Sequence, residues 1–421
     1  MAVNIRRIRR LATLLSLLIV SLVATNAVTT ATAQSVTRLP IRPTTSSTPP
    51  QRSASVIYSD TCAALQADLP RLAGLGVTTA ACTMTGGAPV LPALPSVTVP
   101  ASIQPAPSWC GTDGFMYFTR TESCGVFRGQ VNVTDVRTGA LVGQISYNFI
   151  TYSYTSTSIQ TWAHQLQIQE TSQWGLGAGS TVDGSATCSG ACTVASSSFP
   201  SQPVTPGAFD NGEAYFNTTA TAPGAVGSSM TTWTYTFHNA GWTGSGGSSN
   251  PISTTQPTVR CDNALPGSST IGCVFPDYIT AVVYSRSGPY AALAQHIGDA
   301  QGSGLPGAYP SGAPLTRLTD PVLQDQNRQT ACPSSYPRPP TKSCDEYPFA
   351  SSHQGAAFSG GGPRTFYYCV IVLVSQSTGP NGYSVCMIDA TQNSGGGSIL
   401  GQFYNSNRIL ENDAYRVWIV A

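Results

Sequence analysis

Residues 141–155 read LVGQISYNFITYSYT. Apolar and polar side chains alternate, and the apolar ones are β-branched or aromatic. Period two with that composition predicts a strand with one buried face. The same pattern recurs in GQVNVTDV (129–136), HQLQIQET (164–171) and MTTWTYTFHN (230–239). Turn residues separate these stretches at Thr138-Gly139, Gly175 to Gly179 and Gly241 to Gly247. Many short strands without helical runs predict an all-β sandwich over 108–260. Its tryptophans, Trp162, Trp174, Trp233 and Trp242, read mainly as core. Exposed aromatics on such a sheet would instead suit a cell-wall glycan or protein partner.

Outward to the N-terminus the pattern stops. MAVNIRRIRR is basic, LATLLSLLIVSLVA is apolar and uncharged, and TTATAQ offers an Ala-x-Ala site. Residues 1–33 therefore read as a signal peptide cut after Ala33, with an uncleaved anchor as the alternative. No later run is long enough to span a membrane, so no stable span is expected after cleavage, and the expected location is extracellular. Residues 34–107 are rich in Pro, Ser, Thr and Ala and read as a linker holding one short helix between Cys62 and Cys82.

Twelve cysteines in an exported chain predict disulfides. Neighbour pairing is expected for Cys62–Cys82, Cys110–Cys124, Cys188–Cys192, Cys261–Cys273 and Cys332–Cys344. Cys369 and Cys386 are not expected to bridge if Gly379-Pro380-Asn381-Gly382 turns a regular hairpin, because Cys386 would then face Ser375. The spacings do not favour a zinc finger. Charged residues make up 9% of the chain and the formal net charge is +1, so no global basic field announces nucleic acid or membrane.

From about 276 to 421 the texture becomes α+β. SGPYAALAQHIGDAQGSG (287–304) predicts a helix with Ser287 as N-cap, and PVLQDQNRQTAC (321–332) a second with Asp320 as N-cap and Pro321 at its first position. RTFYYCVIVLV (364–374) and GYSVCMIDA (382–390) read as strands, GSILGQFYNSNRIL (397–410) as a helix and AYRVWIV (414–420) as a closing strand. Here lies the densest group of reactive side chains: Asp345 and Glu346 in CDEYPF (344–349), then His353 and Asn393. Carboxylates and an amide oxygen are hard ligands that suit Mg, Mn or Ca. A carboxylate or the histidine could take a proton from water beside such an ion. Gly395 to Gly397, read as a loop before a helix, would leave N–H groups open to a phosphate.

These pieces resemble, in order, the NucA/NucB-type secreted bacterial deoxyribonucleases. AQHIGDAQGSG resembles the family's His-Ile-x-Asp-Ala helix, LTRLTDPVLQDQNRQTAC its arginine-containing second helix and CDEYPFA its Asp-Glu-aromatic-Pro signature. QNSGGGSILGQFY resembles its asparagine and glycine-rich segment, and RILENDAYRVWIV its closing strand. The resemblance implies a metal-dependent, non-specific endodeoxyribonuclease with a ββα-metal type centre, a divalent cofactor and DNA as substrate. By position, Asp345 becomes the candidate general base, Glu346 a supporting or metal-linked carboxylate, and Asn393 a metal ligand. Gln354 stands where the family carries a glutamate, so it can offer a carbonyl oxygen but no charge; His353 could then serve as base or electrophile. His296, Arg328 and Arg408 are candidates for the substrate. Residues 276–421 hold eight cationic side chains against nine carboxylates, which leaves DNA binding to a bound cation. The alternative reading is a nuclease fold without catalysis, acting as a secreted DNA-, glycan- or protein-binding surface protein.

Overall fold

A computed structural model describes residues 48–53, 58–89, 104–372 and 377–421. The expected signal peptide lies outside these residues. Among them are four α-helices and a majority of strands.

The stretch 141–155 forms the strand Leu141–Tyr154 at the centre of a nine-stranded sheet. It pairs antiparallel with Glu122–Asp135 on one side and Thr161–Gly175 on the other. Phe209–Thr218 and Cys192–Ser198 extend the sheet. A second, six-stranded sheet is built on Val226–His238, flanked by Thr181–Gly190, Val259–Asp262 and Ile252–Thr255. The alternation has the expected consequence. Ile145, Tyr147, Phe149, Trp162, Leu166 and Ile168 of the first sheet share one core with Val182, Trp233, Tyr235 and Phe237 of the second. Burying each such side chain contributes roughly 1.5–3 kcal/mol, so the two faces are held together mainly by apolar burial. Trp162, Trp233 and Trp242 are buried, and only Trp174 of the four is exposed, which leaves no aromatic row for a glycan.

In the stretch expected as a linker, α1 (Cys62–Gly74) is the foreseen helix. Thr79–Thr85 then joins the large sheet along Glu122–Asp135. Residues 90–103 lie outside the described residues.

The C-terminal part is α+β with its own core, centred on Leu293, Ile297, Leu315, Tyr347, Leu400, Tyr415 and Val417. Ala281–Ser285 pairs parallel with the closing strand Ala414–Val420. A second small sheet places Tyr383–Asp389 between Lys342–Tyr347, antiparallel, and Pro363–Arg364, parallel. Around these sheets pack α2 (Ala291–Gly302), α3 (Pro321–Ala331) and α4 (Ala390–Ser406). Asp320 caps α3 as expected, accepting from the N–H groups of Val322 and Leu323.

Three expectations fail here for tertiary reasons. Of the strand read at 364–374, the described residues 365–372 form none: Tyr367–Cys369 is a 3-10 turn, and Tyr367 and Val372 are 93% and 92% exposed. Lys342–Tyr347 takes one edge of Tyr383–Asp389, and Pro363–Arg364 pairs parallel with the start of the other, so this segment does not return as an antiparallel hairpin. Without the hairpin, Cys369 comes within 4.4 Å (Cα–Cα) of Cys386 and the sixth disulfide forms beside the five expected ones. Finally, Ser287 does not cap α2; the Gln392 side chain accepts from the Ala292 N–H instead.

The described residues fall in one compact unit. A buried charge cluster joins the β-rich part to the C-terminal part. Arg408 Nη2 donates to Asp262 Oδ1 at 2.5 Å, Arg260 Nη1 to Asp413 Oδ1 at 2.6 Å and Arg120 Nη2 to Asp413 Oδ2 at 3.1 Å. Burial, with Arg260 alongside, lowers the Arg120 guanidinium to about 10, so it stays charged at neutral pH.

Candidate functional site

The strand Lys342–Tyr347 carries the acidic pair, and its pleat sends the two carboxylates to opposite faces. Asp345 faces α2. Its Oδ2 accepts a 2.6 Å hydrogen bond from His296 Nδ1, and His296 Nε2 lies 2.9 Å from Ser384 Oγ on the neighbouring strand. His296 and Ser384 are fully buried and Asp345 is 5% exposed. The connectivity is that of a Ser-His-Asp hydrolase triad. Ser384 has no access to a substrate, however, so the relay orients Asp345 and performs no acyl chemistry. Asp345 Oδ1 has no partner among the described residues, which leaves it available outward.

Asn393 is in the first turns of α4, directly after the strand Tyr383–Asp389. Its Nδ2 donates to Ser343 Oγ at 3.0 Å and to the Cys344 carbonyl at 3.1 Å. Ser343 and Asp345 share a face of the strand, so Asn393 is docked on the Asp345 side. With the nitrogen fixed, the amide oxygen is the free end.

Glu346 faces the other way, toward the end of α3, with Cys332 Sγ 3.9 Å from its Oε2. Burial, reinforced by the Asp345 charge and opposed by Arg328, pushes its carboxyl up to about 7. Arg328 is exposed on α3 and donates to Gln324.

The remaining candidates are elsewhere. Gln354 is tied to one residue: its Oε1 accepts from the Thr316 N–H at 2.9 Å and its Nε2 donates to Thr316 Oγ1 at 3.1 Å. His353 Nε2 pairs with Glu411 Oε1 at 2.7 Å. Arg408 is 1% exposed, with its guanidinium on Asp262 and on the carbonyls of Thr157 and Thr270. A phosphate cannot reach it there, so its expected substrate contact is replaced by a structural one. His296 likewise is buried beneath Asp345 and meets no substrate in this arrangement.

The glycine run is not a phosphate loop. α4 begins at Ala390, capped by Asp389, so Gly395 to Gly397 lie inside the helix and their N–H groups are not presented at its end. A Cβ on Gly396 would fall 2.0 Å from Leu293 Cδ2, and one on Gly395 2.3 Å from Tyr290 Cε1. The glycines allow α4 to approach α2 closely.

Among the described residues no three His, Cys, Asp or Glu side chains are grouped to hold a metal. The donors on the Asp345 face are one carboxylate and one amide oxygen. That set fits a hard divalent ion that keeps several waters or phosphate oxygens as ligands. Glu346 and Gln354, expected as ligands, are not brought to this face.

The contribution of Gln392 to α2 and of Ser384 to His296 carried no signal in the sequence, since both act across 88 to 100 residues. No curated protein matches the chain. Residues 315–418 match the family model of Deoxyribonuclease NucA/NucB, so the segment that holds Asp345, Glu346 and Asn393 is similar to that family, while α2 with His296 precedes the matched segment.

Proposed function

We propose that residues 276–421 work as a secreted, metal-dependent, non-specific endodeoxyribonuclease that hydrolyses phosphodiester bonds of extracellular DNA. The observation that carries the reading is the placement of Asp345 and Asn393 on one face of a strand–strand–helix unit, Lys342–Tyr347, Tyr383–Asp389 and α4. A strand–strand–helix unit of this kind supports the ββα-metal reading, and it lies within the segment matching a deoxyribonuclease family.

In this reading Asp345 Oδ1 takes the proton of the attacking water while Oδ2 stays fixed on His296. Asn393, held through its nitrogen, would offer its carbonyl oxygen to a divalent ion whose other ligands are water and phosphate oxygens. Such an ion would polarise the phosphoryl oxygen and offset charge on the phosphate, while Asp345 acts on the water and not as a ligand. Arg328, exposed on α3, is available to a flanking phosphate. Glu346, with its raised carboxyl and its own face of the strand, would act as a second proton-transfer group or support the strand.

Plasmid nicking by the full chain, with Mg, with Mn and with EDTA, tests the proposal. The full chain is needed because Arg408 and Asp413 are paired with the β-rich part. Cleavage with metal that EDTA stops is expected; intact supercoiled plasmid under every metal would sink the enzyme reading.

A further inference from the structure

The core of the β-sandwich holds a polar cluster for which the nuclease reading has no use. Ser123, Thr151 and His164 are fully buried and Gln256 is 2% exposed. Thr151 belongs to Leu141–Tyr154 of the large sheet; Gln256 directly follows Ile252–Thr255 of the small one. Thr151 Oγ1 is 2.8 Å from His164 Nε2. The Gln256 Nε2 lies 2.7 Å from Thr151 Oγ1 and 3.2 Å from His164 Nε2. Ser123 Oγ donates to Gln256 Oε1. His164 Nδ1 has no partner, and neither do the nearby buried hydroxyls of Thr231 and Thr254.

The cluster sets a hydroxyl, a base, a carboxamide and an oxygen donor side by side. The Thr151 hydroxyl is the nucleophile and His164 the base. The Gln256 carboxamide is the electrophile, and Ser123 is placed to stabilise negative charge on its oxygen. Burial keeps the His164 imidazole neutral at rest, pushed down to about 3, and its Nε2 faces the Thr151 hydroxyl. Trp233 Nε1 fixes the His164 carbonyl at 3.0 Å and packs its ring against the imidazole, holding it in place.

We propose that Thr151 and Gln256 become joined by an ester bond that ties the two sheets of the sandwich together. The Oγ1–Cδ bond forms as the hydroxyl proton passes to His164 Nε2. The Cδ–Nε2 bond then breaks as that proton moves to the departing nitrogen, which leaves as ammonia. His164 returns to its neutral form, and no oxidant, reductant or further reactant is consumed. Burial of Thr151, His164 and Gln256 protects the product by limiting access of bulk water to the ester.

The test is mass spectrometry of the purified full chain after proteolysis. The expected result is a linked pair of peptides, one containing Thr151 and one Gln256, lighter by one ammonia than their sum. Hydroxylamine should part them and leave a hydroxamate at residue 256. Thr151→Val should yield both peptides linear, Thr151→Ser should keep the link, and His164→Ala should slow or abolish it. Because an N-terminal glutamine can also lose ammonia, the linked peptide and not the intact mass is decisive. Recovery of both peptides linear from folded wild-type protein, with the Gln256 carboxamide intact, overturns the proposal; that result needs no variant to fold.

Discussion

Asp345 and His296 are 49 residues apart in the chain and 2.6 Å apart in the fold. The histidine lies on the helix before the matched segment and the aspartate on the signature strand, so the pair joins two pieces of sequence that look independent. A buried histidine between a carboxylate and Ser384 Oγ fixes the direction of that carboxylate. His296→Ala should therefore lower the cleavage rate at least tenfold and cost on the order of 1–3 kcal/mol of stability by leaving buried polar atoms unpaired. Nicking rates and urea midpoints on the same preparation measure both; an unchanged rate would show that Asp345 needs no orientation.

Asp345→Ala should abolish cleavage, and Asn393→Ala should raise the metal concentration required. A metal titration of nicking activity separates the two, since a catalytic base cannot be replaced by more metal. Persistence of activity in Asp345→Ala would remove it from the mechanism.

Glu346 gives a prediction of definite sign. Its carboxyl is raised from the model-compound 4.5 to about 7, so the folded state holds the proton more tightly than the unfolded one. The favourable term is present below about pH 4.5 and fades as pH rises through about 7. Glu346→Gln should thus be more stable than wild type at pH 8, by on the order of 2 kcal/mol, with the gap closing toward pH 4. Thermal melts across that range check it; a constant difference would refute the assigned burial.

The cluster at the junction should make unfolding cooperative across both parts. Arg408→Ala leaves buried Asp262 with only the longer, 3.6 Å contact to Arg260 Nε and should cost about 3 kcal/mol. Calorimetry of the full chain should show a single transition in wild type and a lower or split one in the variant.

Gly396→Ala and Gly397→Ala should differ in sign. The first drives a Cβ into Leu293 and should destabilise by about 1–3 kcal/mol, whereas the second meets nothing within 4 Å and should be neutral or gain up to about 1 kcal/mol from helix propensity. Equal effects in chemical denaturation would contradict the close approach of α4 to α2.

The sequence by itself determined the features written in local periodicity and local chemistry. Alternation in 141–155 and its neighbours requires strands with one apolar face, and two such faces can be buried only against each other. Asp320-Pro321 marks a helix start wherever it stands. The Asp-Glu-Tyr-Pro motif, taken in order with the helix, asparagine–glycine and closing-strand segments around it, pointed to the family that matches residues 315–418.

Tertiary structure decided which of those residues meet. A hydrophobic run at 367–372 reads as a strand until the residues before it, Pro363–Arg364, pair parallel and not antiparallel with Tyr383–Asp389. Glycines read as a loop until a facing Leu293 explains why a helix needs them. Arg408 looks like a phosphate ligand until Asp262, 146 residues earlier, claims it. Glu346 and Gln354 look like neighbours of Asp345 until the pleat turns one away and Thr316 holds the other. Strand edges, close helix approach and the partner of a buried charge depend on chain segments far apart in sequence, and local pattern carries no record of them.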